Sequence, residues 1–352
     1  MTILVSGAAG FIGSNFTLNW LSHSNEQIIA LDKLTYAGNL ENLKSIESNP
    51  NYIFVQGDIG DSKLTAKILK EYQPRAILNF AAESHVDRSI YGPDDFIETN
   101  ILGTYHFLKE VRTYFDELSA ELKNNFRFLH VSTDEVFGTL NADDPPFNEV
   151  KRYEPNSPYS ASKAASDHLV RAWYHTYGLP VITTHCSNNY GPFHFPEKLI
   201  PLCILNALKG KSIPLYGDGM QVRDWLYVVD HCKGVEKVLE GGRVGETYNI
   251  GGFNEKTNLE VVHTLCELLD EMKPSDNRKS YKEQIIFVDD RPGHDLRYAI
   301  DSTKISNDLD WKPEQTFSTG IKKTVQWYID NQEWVKNVQS GEYKSWIAKK
   351  YS

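Results

Sequence analysis

Two adjacent carboxylates, Asp134 and Glu135, follow the apolar run Phe128 to Val131, and the segment Tyr159-Ser-Ala-Ser-Lys163 begins 24 residues after Glu135. A tyrosine with a lysine four residues on can act as a redox base, because the cation favours the phenolate that takes a hydroxyl proton. A plain dehydrogenase needs no more than that. Two further carboxylates allow a proton to leave one carbon while a leaving group is protonated at its neighbour, which is elimination. The residues therefore point to redox and acid/base chemistry in one site.

An unperturbed phenol titrates near ~10 and is a poor base at neutral pH. A lysine ammonium ~4 Å away, at an effective dielectric of ~20, contributes about 4 kcal/mol, or roughly three pKa units. Lys163 alone could thus bring Tyr159 near the working pH, and a cationic cofactor ring would add to this. The bland alternative is a helix-start tyrosine beside a solvated lysine. For Asp134 and Glu135, strand geometry sets a condition, since neighbouring side chains on a continuing strand point to opposite faces. They can serve one site only on a loop at the strand's carboxyl edge, just past Thr133. Close like charges should then raise one pKa and leave the other group ionised. Sequence does not assign acid and base between them, and an Asp-Glu pair is also an ordinary surface feature.

Such residues need a scaffold whose strand ends converge. Ile3 to Val5 is a short apolar run ending in Ser-Gly and reads as a buried parallel strand, with a helix from about Phe11 to Ser22. The rhythm returns at Ile28 to Leu31, Tyr52 to Val55, Ala76 to Phe80, Phe128 to Val131 and Val181 to Cys186. This alternation predicts an α/β fold with a Rossmann-like doubly wound parallel sheet. Ser157 as a cap, Pro158 at the first helical position and Gly178 as a left-handed stop bound a helix with Tyr159 and Lys163 on one face. After Gly191 the pattern loosens at Pro192, Pro196, Pro201, Pro214 and the Tyr216 to Gly219 turn. Residues 1–190 are expected to form the dinucleotide-binding domain with the catalytic residues. Residues 191–352 are expected to form mainly a smaller C-terminal α/β lobe for the substrate, with some chain crossing. Val228 to Glu240 and Leu259 to Met272 read as its helices, Tyr248 to Ile250 as a strand, and Trp334 to Ser352 as a packed terminal helix.

Gly7-Ala-Ala-Gly10-Phe-Ile-Gly13 joins the first strand to the first helix, where missing side chains let backbone amides approach a pyrophosphate. Its spacing is GxxGxxG, and glycines also serve purely structural turns. Asp32 ends the second strand, where a carboxylate can accept the adenine ribose hydroxyls and repel a 2′-phosphate, favouring NAD over NADP. Lys33 follows it. Asp58-Ile59 could border the adenine or form a surface turn. Ala81-Ala82-Glu-Ser84 is the next loop on the same sheet edge.

The chain has 352 residues with 37 basic against 47 acidic, a net charge of -10. That balance argues against a general nucleic-acid surface and for a small-molecule partner. Cys186, Cys203, Cys232 and Cys266 lie 17, 29 and 34 residues apart, which offers no CxxC or zinc spacing; buried free thiols and no metal site are expected. No run of eighteen apolar residues occurs and no basic stretch precedes the first apolar run, so the expectation is a cytoplasmic protein without a membrane segment.

Together the glycine loop, Asp32, Ala81-Ala82, Tyr159 and Lys163 resemble the extended short-chain dehydrogenase/reductases over essentially the whole chain. Thr133-Asp-Glu-Val-Phe-Gly138, Ala81-Ala-Glu-Ser-His-Val-Asp87 and Arg291-Pro-Gly-His-Asp295 narrow the resemblance to the dTDP-glucose 4,6-dehydratase family. Phe137 stands where that family commonly has tyrosine, a place not expected to react. The resemblance implies that NAD is held by Gly7, Gly10, Phe11, Ile12, Gly13, Asp32, Lys33 and Thr35, by Asp58, Ile59, Ala81, Ala82, Ser84 and Thr99, and by Tyr159, Lys163 and Asn189. It implies dTDP-glucose contacts from Ser84, Thr133, Asn188, Lys198, Leu199, Pro214, Tyr216, Arg223, Asn258, Arg291 and His294, with Arg223 and Arg291 on the diphosphate. It also implies the roles. Tyr159 takes the C4 hydroxyl proton while hydride leaves C4 and Thr133 holds the hydroxyl; Glu135 takes the C5 proton, Asp134 protonates the departing C6 hydroxyl, and hydride returns to C6. The product is a 4-keto-6-deoxy sugar for deoxysugar (rhamnose-type) synthesis, and the family implies a homodimer through helices near Ile97 to Phe115 and Ala161 to Tyr177.

Individually the substrate residues have plainer readings: Arg223 could pair with Asp224, and His294 could cap a turn. A UDP-sugar epimerase uses the same Tyr/Lys pair and NAD but needs no dehydration acid, so Asp134 beside Glu135 weighs against it. A decarboxylase would need residues set for a substrate carboxylate. Dehydratases acting on other nucleotide sugars share the core chemistry. A non-catalytic NAD-sensing regulator could lose Tyr159 or Lys163 at little cost, yet both stand here with Thr133 and both acids.

Overall fold

The computed structural model describes residues 1–275, 277 and 279–339. Its strands are β1 (Thr2–Ser6), β2 (Gln27–Asp32), β3 (Tyr52–Gln56), β4 (Ala76–Asn79), β5 (Arg127–Thr133), β6 (Val181–Cys186), β7 (Asn188–Tyr190), β8 (Ile213–Tyr216), β9 (Val222–Tyr227), β10 (Thr247–Ile250), β11 (Glu255–Thr257) and β12 (Ile285–Val288). Seven of them form one sheet in the order β10-β6-β5-β4-β1-β2-β3, and every adjacent pair is parallel. Strand order reverses between β1 and β4, the crevice where ligands collect in doubly wound sheets.

Both faces of that sheet are apolar, as a parallel sheet covered by helices requires. Ile3, Val5, Ile28, Ala30, Leu78 and Leu129 pack into the core on one face. Leu4, Ile29, Leu31, Ile77 and Phe128 pack into the core on the other. Alternate residues of the same strands thus divide between two helix layers.

The helix Pro158–Tyr177 has the ends its sequence announces. Ser157 accepts the Ser160 amide at 3.1 Å in a reciprocal capping box, and Gly178 takes φ 70. Tyr159 and Lys163 both point into the interior from it, at 8% and 4% exposure.

Past Gly191 the chain does not stay in a second lobe. β10 adds to the edge of the central sheet beside β6, and the helix Val228–Gly241 lays Cys232, Val235, Val238 and Leu239 on the same core as Ile3 and Val5. Tyr248, Asn249 and Ile250 are completely buried, which gives that short strand its reason to cross back. A separate core gathers Ile204, Val261, Leu265, Ile321, Val325, Tyr328 and Trp334 around the small sheets β11-β9-β7 and β12-β8. Of the terminal stretch expected to be helical, Gln332–Val338 is a helix that buries Trp334, Val335 and Val338; residues 340–352 lie outside the described residues. All four cysteines are free and buried, and among the described residues no helix is long and apolar enough to cross a membrane.

Candidate active site

β5 ends where the carboxylates need it to end. Thr133 keeps an extended backbone, its hydroxyl accepts the Glu135 amide at 3.3 Å, and a short 3-10 turn, Asp134–Phe137, begins. The tight turn breaks the two-residue alternation, so both acids line one cleft with Tyr159 and Lys163.

The two acids differ in surroundings. Asp134 is 1% exposed, and its Oδ2 has no hydrogen-bond partner among the described residues. Burial, then the nearby Glu135 and Asp224 carboxylates, push Asp134 well above the usual carboxylate range. Glu135 is also raised by burial, but Arg291, Lys198 and Arg223 oppose the rise. Like charge is not the main cause of the difference expected between the two acids: desolvation raises both, and three cations make Glu135 the easier to ionise.

A second correction concerns Tyr159. Burial, followed by Glu135 and Cys186, holds its phenol well above the ordinary value, and a hydrogen bond to Thr133 opposes the rise. Lys163 instead donates its ammonium to the Val131 carbonyl at 2.9 Å, and its own pKa is lowered by burial. Lys163 alone therefore does not prepare the phenolate. A further positive charge has to arrive with the ligands.

The dinucleotide end fits NAD. Gly7 has φ 68, and a Cβ there would lie 2.7 Å from the Ala81 nitrogen; a Cβ on Gly13 would lie 2.1 Å from the Gly7 oxygen. The glycines let the loops after β1 and β4 close on each other, and no side chain caps the helix Phe11–His23 at Gly10, leaving its amide end to a phosphate. Asp32 is 8% exposed and accepts the Ala9 and Leu34 amides at 2.8 and 2.7 Å, which fixes its carboxylate at the strand end. Lys33 reaches Asp58 at 2.7 Å, so the cation following Asp32 is neutralised by a neighbour and favours no 2′-phosphate. Asp58 itself also accepts the Gly60 amide, so it borders the cleft and builds a turn at once.

On the opposite wall, Asn188 and Asn189 each hold a buried amide oxygen without a partner among the described residues. Arg223 is buried over the Tyr298 ring at 4.2 Å and donates to the Val222 and Asp295 carbonyls. It does not pair with Asp224, which points the other way on β9 and accepts the Gly252 and Asn254 amides. Arg291 donates to Asp87 at 2.8 Å while its Nε remains buried and unpartnered among the described residues. His294 does sit in its own turn, with Nδ1 2.6 Å from Asp290. Lys198 donates to the Ser84 carbonyl at 2.7 Å. The cleft, of about 410 Å³, brings together every residue singled out from the sequence for cofactor, catalysis or substrate, including Thr35, Ile59, Thr99, Leu199, Pro214 and Asn258.

Sequence reasoning passed over several residues that build this wall. Asp87 receives both Arg291 and Tyr216, the latter at 3.0 Å. Asn100, on the π-helical stretch Ile97–Gly103, clamps Glu83 by its amide and carbonyl and reaches Ser162 at 2.8 Å. Arg88 donates to the buried Glu197 at 3.0 Å and lies over the Tyr36 ring at 3.5 Å. Asp87 stands in a quoted motif, but its partners are 129 and 204 residues away and no local pattern names them.

The model of the family described as GDP-mannose 4,6 dehydratase matches residues 4–324. A dTDP-glucose 4,6-dehydratase of Xanthomonas campestris pv. campestris is 59% identical over 343 residues, 97% of this chain and 97% of the relative. One from Salmonella typhimurium is 57% identical over 359 residues, 100% of this chain and 99% of the relative. The crystal structure of dTDP-glucose 4,6-dehydratase from Bacillus anthracis in complex with NAD is similar to the chain with a TM-score of 0.84 and 49% identity, covering 96% of this chain and 99% of that one.

Proposed function

The chain belongs to the dTDP-glucose 4,6-dehydratase family, and we propose that its cleft converts dTDP-glucose to dTDP-4-keto-6-deoxyglucose and water. NAD, when bound, supplies the acceptor for hydride from C4 and the donor of hydride to C6, and so ends each turnover as it began. The glycine loop, Asp32 and the loop after β4 would hold it with the nicotinamide toward Tyr159.

Tyr159 takes the C4 hydroxyl proton, with Thr133 orienting that hydroxyl. The C4 ketone then acidifies C5. Glu135, whose ionisation three cations favour, removes the C5 proton, and Asp134, kept protonated by burial, gives its proton to the departing C6 hydroxyl. Glu135 returns a proton to C5 as C6 is reduced. Over one turnover Tyr159 has gained a proton and Asp134 has lost one, and Thr133, hydrogen-bonded to both, joins them. Arg223, Arg291 and the partnerless amide oxygens of Asn188 and Asn189 face the diphosphate and sugar.

One observation carries this reading: an enclosed carboxyl whose pKa burial raises, beside a cation-supported carboxylate on the turn facing the tyrosine. An epimerase has no use for that pair. Incubation with dTDP-glucose and NAD should produce the alkali-sensitive absorbance of a 4-keto sugar. The same signal from a different nucleotide sugar and none from dTDP-glucose would keep the reaction and overturn the substrate; an epimerised hexose as product would overturn both.

A homodimer belongs to the same proposal. Ile97 and Leu102 on the π-helical stretch Ile97–Gly103, Tyr105 on the helix Thr104–Glu117 and Tyr177 on Pro158–Tyr177 are exposed, apolar groups suited to a second copy. Sedimentation should give twice the 40.2 kDa chain mass, and a monomer at micromolar concentration would reject the interface.

A further inference from the structure

Beneath the reacting edge, the helix Pro158–Tyr177 buries a second charged group, Asp167, one turn past Lys163. Asp167 Oδ2 accepts from Ser132 Oγ at 2.8 Å and lies 3.0 Å from His185 Nε2; Oδ1 lies 3.3 Å from His130 Nε2. The contacts continue on both sides. His130 Nδ1 is 3.2 Å from Asn79, whose Oδ1 accepts from Ser6 at 2.7 Å, and His185 is 2.9 Å from the Tyr153 hydroxyl. One carboxylate therefore ties together β1, β4, β5 and β6 below the site.

Lys163 is fully enclosed, and an enclosed ammonium needs a counter-charge. The titratable groups around it are His130 on β5, Asp134 and Glu135 on the following turn, Cys186 on β6, and Tyr159 and Asp167 on its own helix, with His185 and Tyr153 beyond Asp167. Burial lowers His130 to about 4 and raises Cys186, Asp134 and both tyrosines, so these groups favour their neutral forms, while Glu135 has Arg291, Lys198 and Arg223 as its own cations. Burial also acts to raise Asp167, but hydrogen bonds from His130 and His185 hold it well below the usual carboxylate range. Helical spacing places it beside Lys163.

We propose that Asp167 is a positioning residue for the redox step: it is the counter-charge that keeps Lys163 an ammonium, and its bonds to Ser132 and His185, with the close contact to His130, lock the Tyr159/Lys163 helix onto β5 and β6. Its kinetic consequence rests on Tyr159 acting as the redox base; its coupling to Lys163 does not, and can be read without turnover. Asp167→Asn keeps the shape and most hydrogen bonds but removes the charge, so Lys163 should lose its proton at lower pH.

The test uses holoenzyme of the wild type, Asp167→Asn, Asp167→Glu, Lys163→Met and the Lys163→Met/Asp167→Asn pair. In Asp167→Asn, KM and NAD content should stay within about threefold while kcat falls on the alkaline side at lower pH than in the wild type, by about tenfold or more relative to its neutral value. Asp167→Glu should restore the wild-type alkaline arm. In thermal melting, the loss caused by Asp167→Asn should be largely relieved once Lys163 is Met; this arm decides even if Asp167→Asn is too unstable to assay. Additive melting losses would overturn the counter-charge. Coupled melting with a pH profile parallel to the wild type would overturn its part in the redox step.

Discussion

Tyr159→Phe should lower turnover by about 10²- to 10⁴-fold, the range for losing a positioned acid/base group. The substitution isolates the hydroxyl. The ring packs edge-on against Phe96 at 6.2 Å, and the contact to Ser89 is made by the backbone amide, so Phe keeps both. What disappears is the hydrogen bond to Thr133 and the atom proposed to accept the C4 proton. Because the hydroxyl acts on the reacting proton and removing it leaves the ring's packing in place, the loss should fall on kcat, with KM for dTDP-glucose little changed. The first half-reaction should stop with it: adding substrate should no longer reduce bound NAD. Turnover within a few-fold of the wild type would remove Tyr159 from the redox step.

Asp134→Asn should separate oxidation from dehydration. The amide fits the same enclosed position but cannot deliver an acidic proton, so loss of water should slow by about 10²- to 10⁴-fold while C4 oxidation continues. Substrate should then convert bound NAD to its reduced form and leave it there. Folding gives an independent check with a definite sign. The folded-state pKa of Asp134 is raised above its unfolded value, so this carboxyl favours the fold while protonated and increasingly opposes it as pH rises past the unfolded value. A neutral amide has no such cost, and Asp134→Asn should melt no lower than the wild type at neutral and alkaline pH. Fast, complete product formation by this variant would assign the acid elsewhere.

Much of this architecture was readable before any coordinates. Short apolar runs marked the strands from β1 to β6, and Ser157, Pro158 and Gly178 bounded the catalytic helix because cap chemistry is local. Asp134 and Glu135 could be put past a strand end by pleat geometry alone. What escaped was set by three-dimensional enclosure. The roughly three pKa units assigned to Lys163 beside Tyr159 assumed a partly solvated pair, whereas the structure buries the phenol among carboxylates and directs the ammonium to Val131. The strand at Tyr248 to Ile250 and some chain crossing were expected, but its place at the edge of the central sheet beside β6 is set by tertiary packing that a four-residue strand does not advertise. Asp87 and Asp167 acquire meaning only from residues brought to them by the fold.

The division of labour between the two acids is most directly tested at C5. In deuterated water the wild type should place deuterium at C5 of the product, and Asp134→Asn should still exchange that position in the oxidised sugar. Glu135→Gln should oxidise C4 yet exchange C5 at least about a hundredfold more slowly, as expected for a missing general base. Exchange at the wild-type rate in Glu135→Gln, with exchange lost in Asp134→Asn, would reverse the two roles and contradict the assignment of the protonated acid to Asp134.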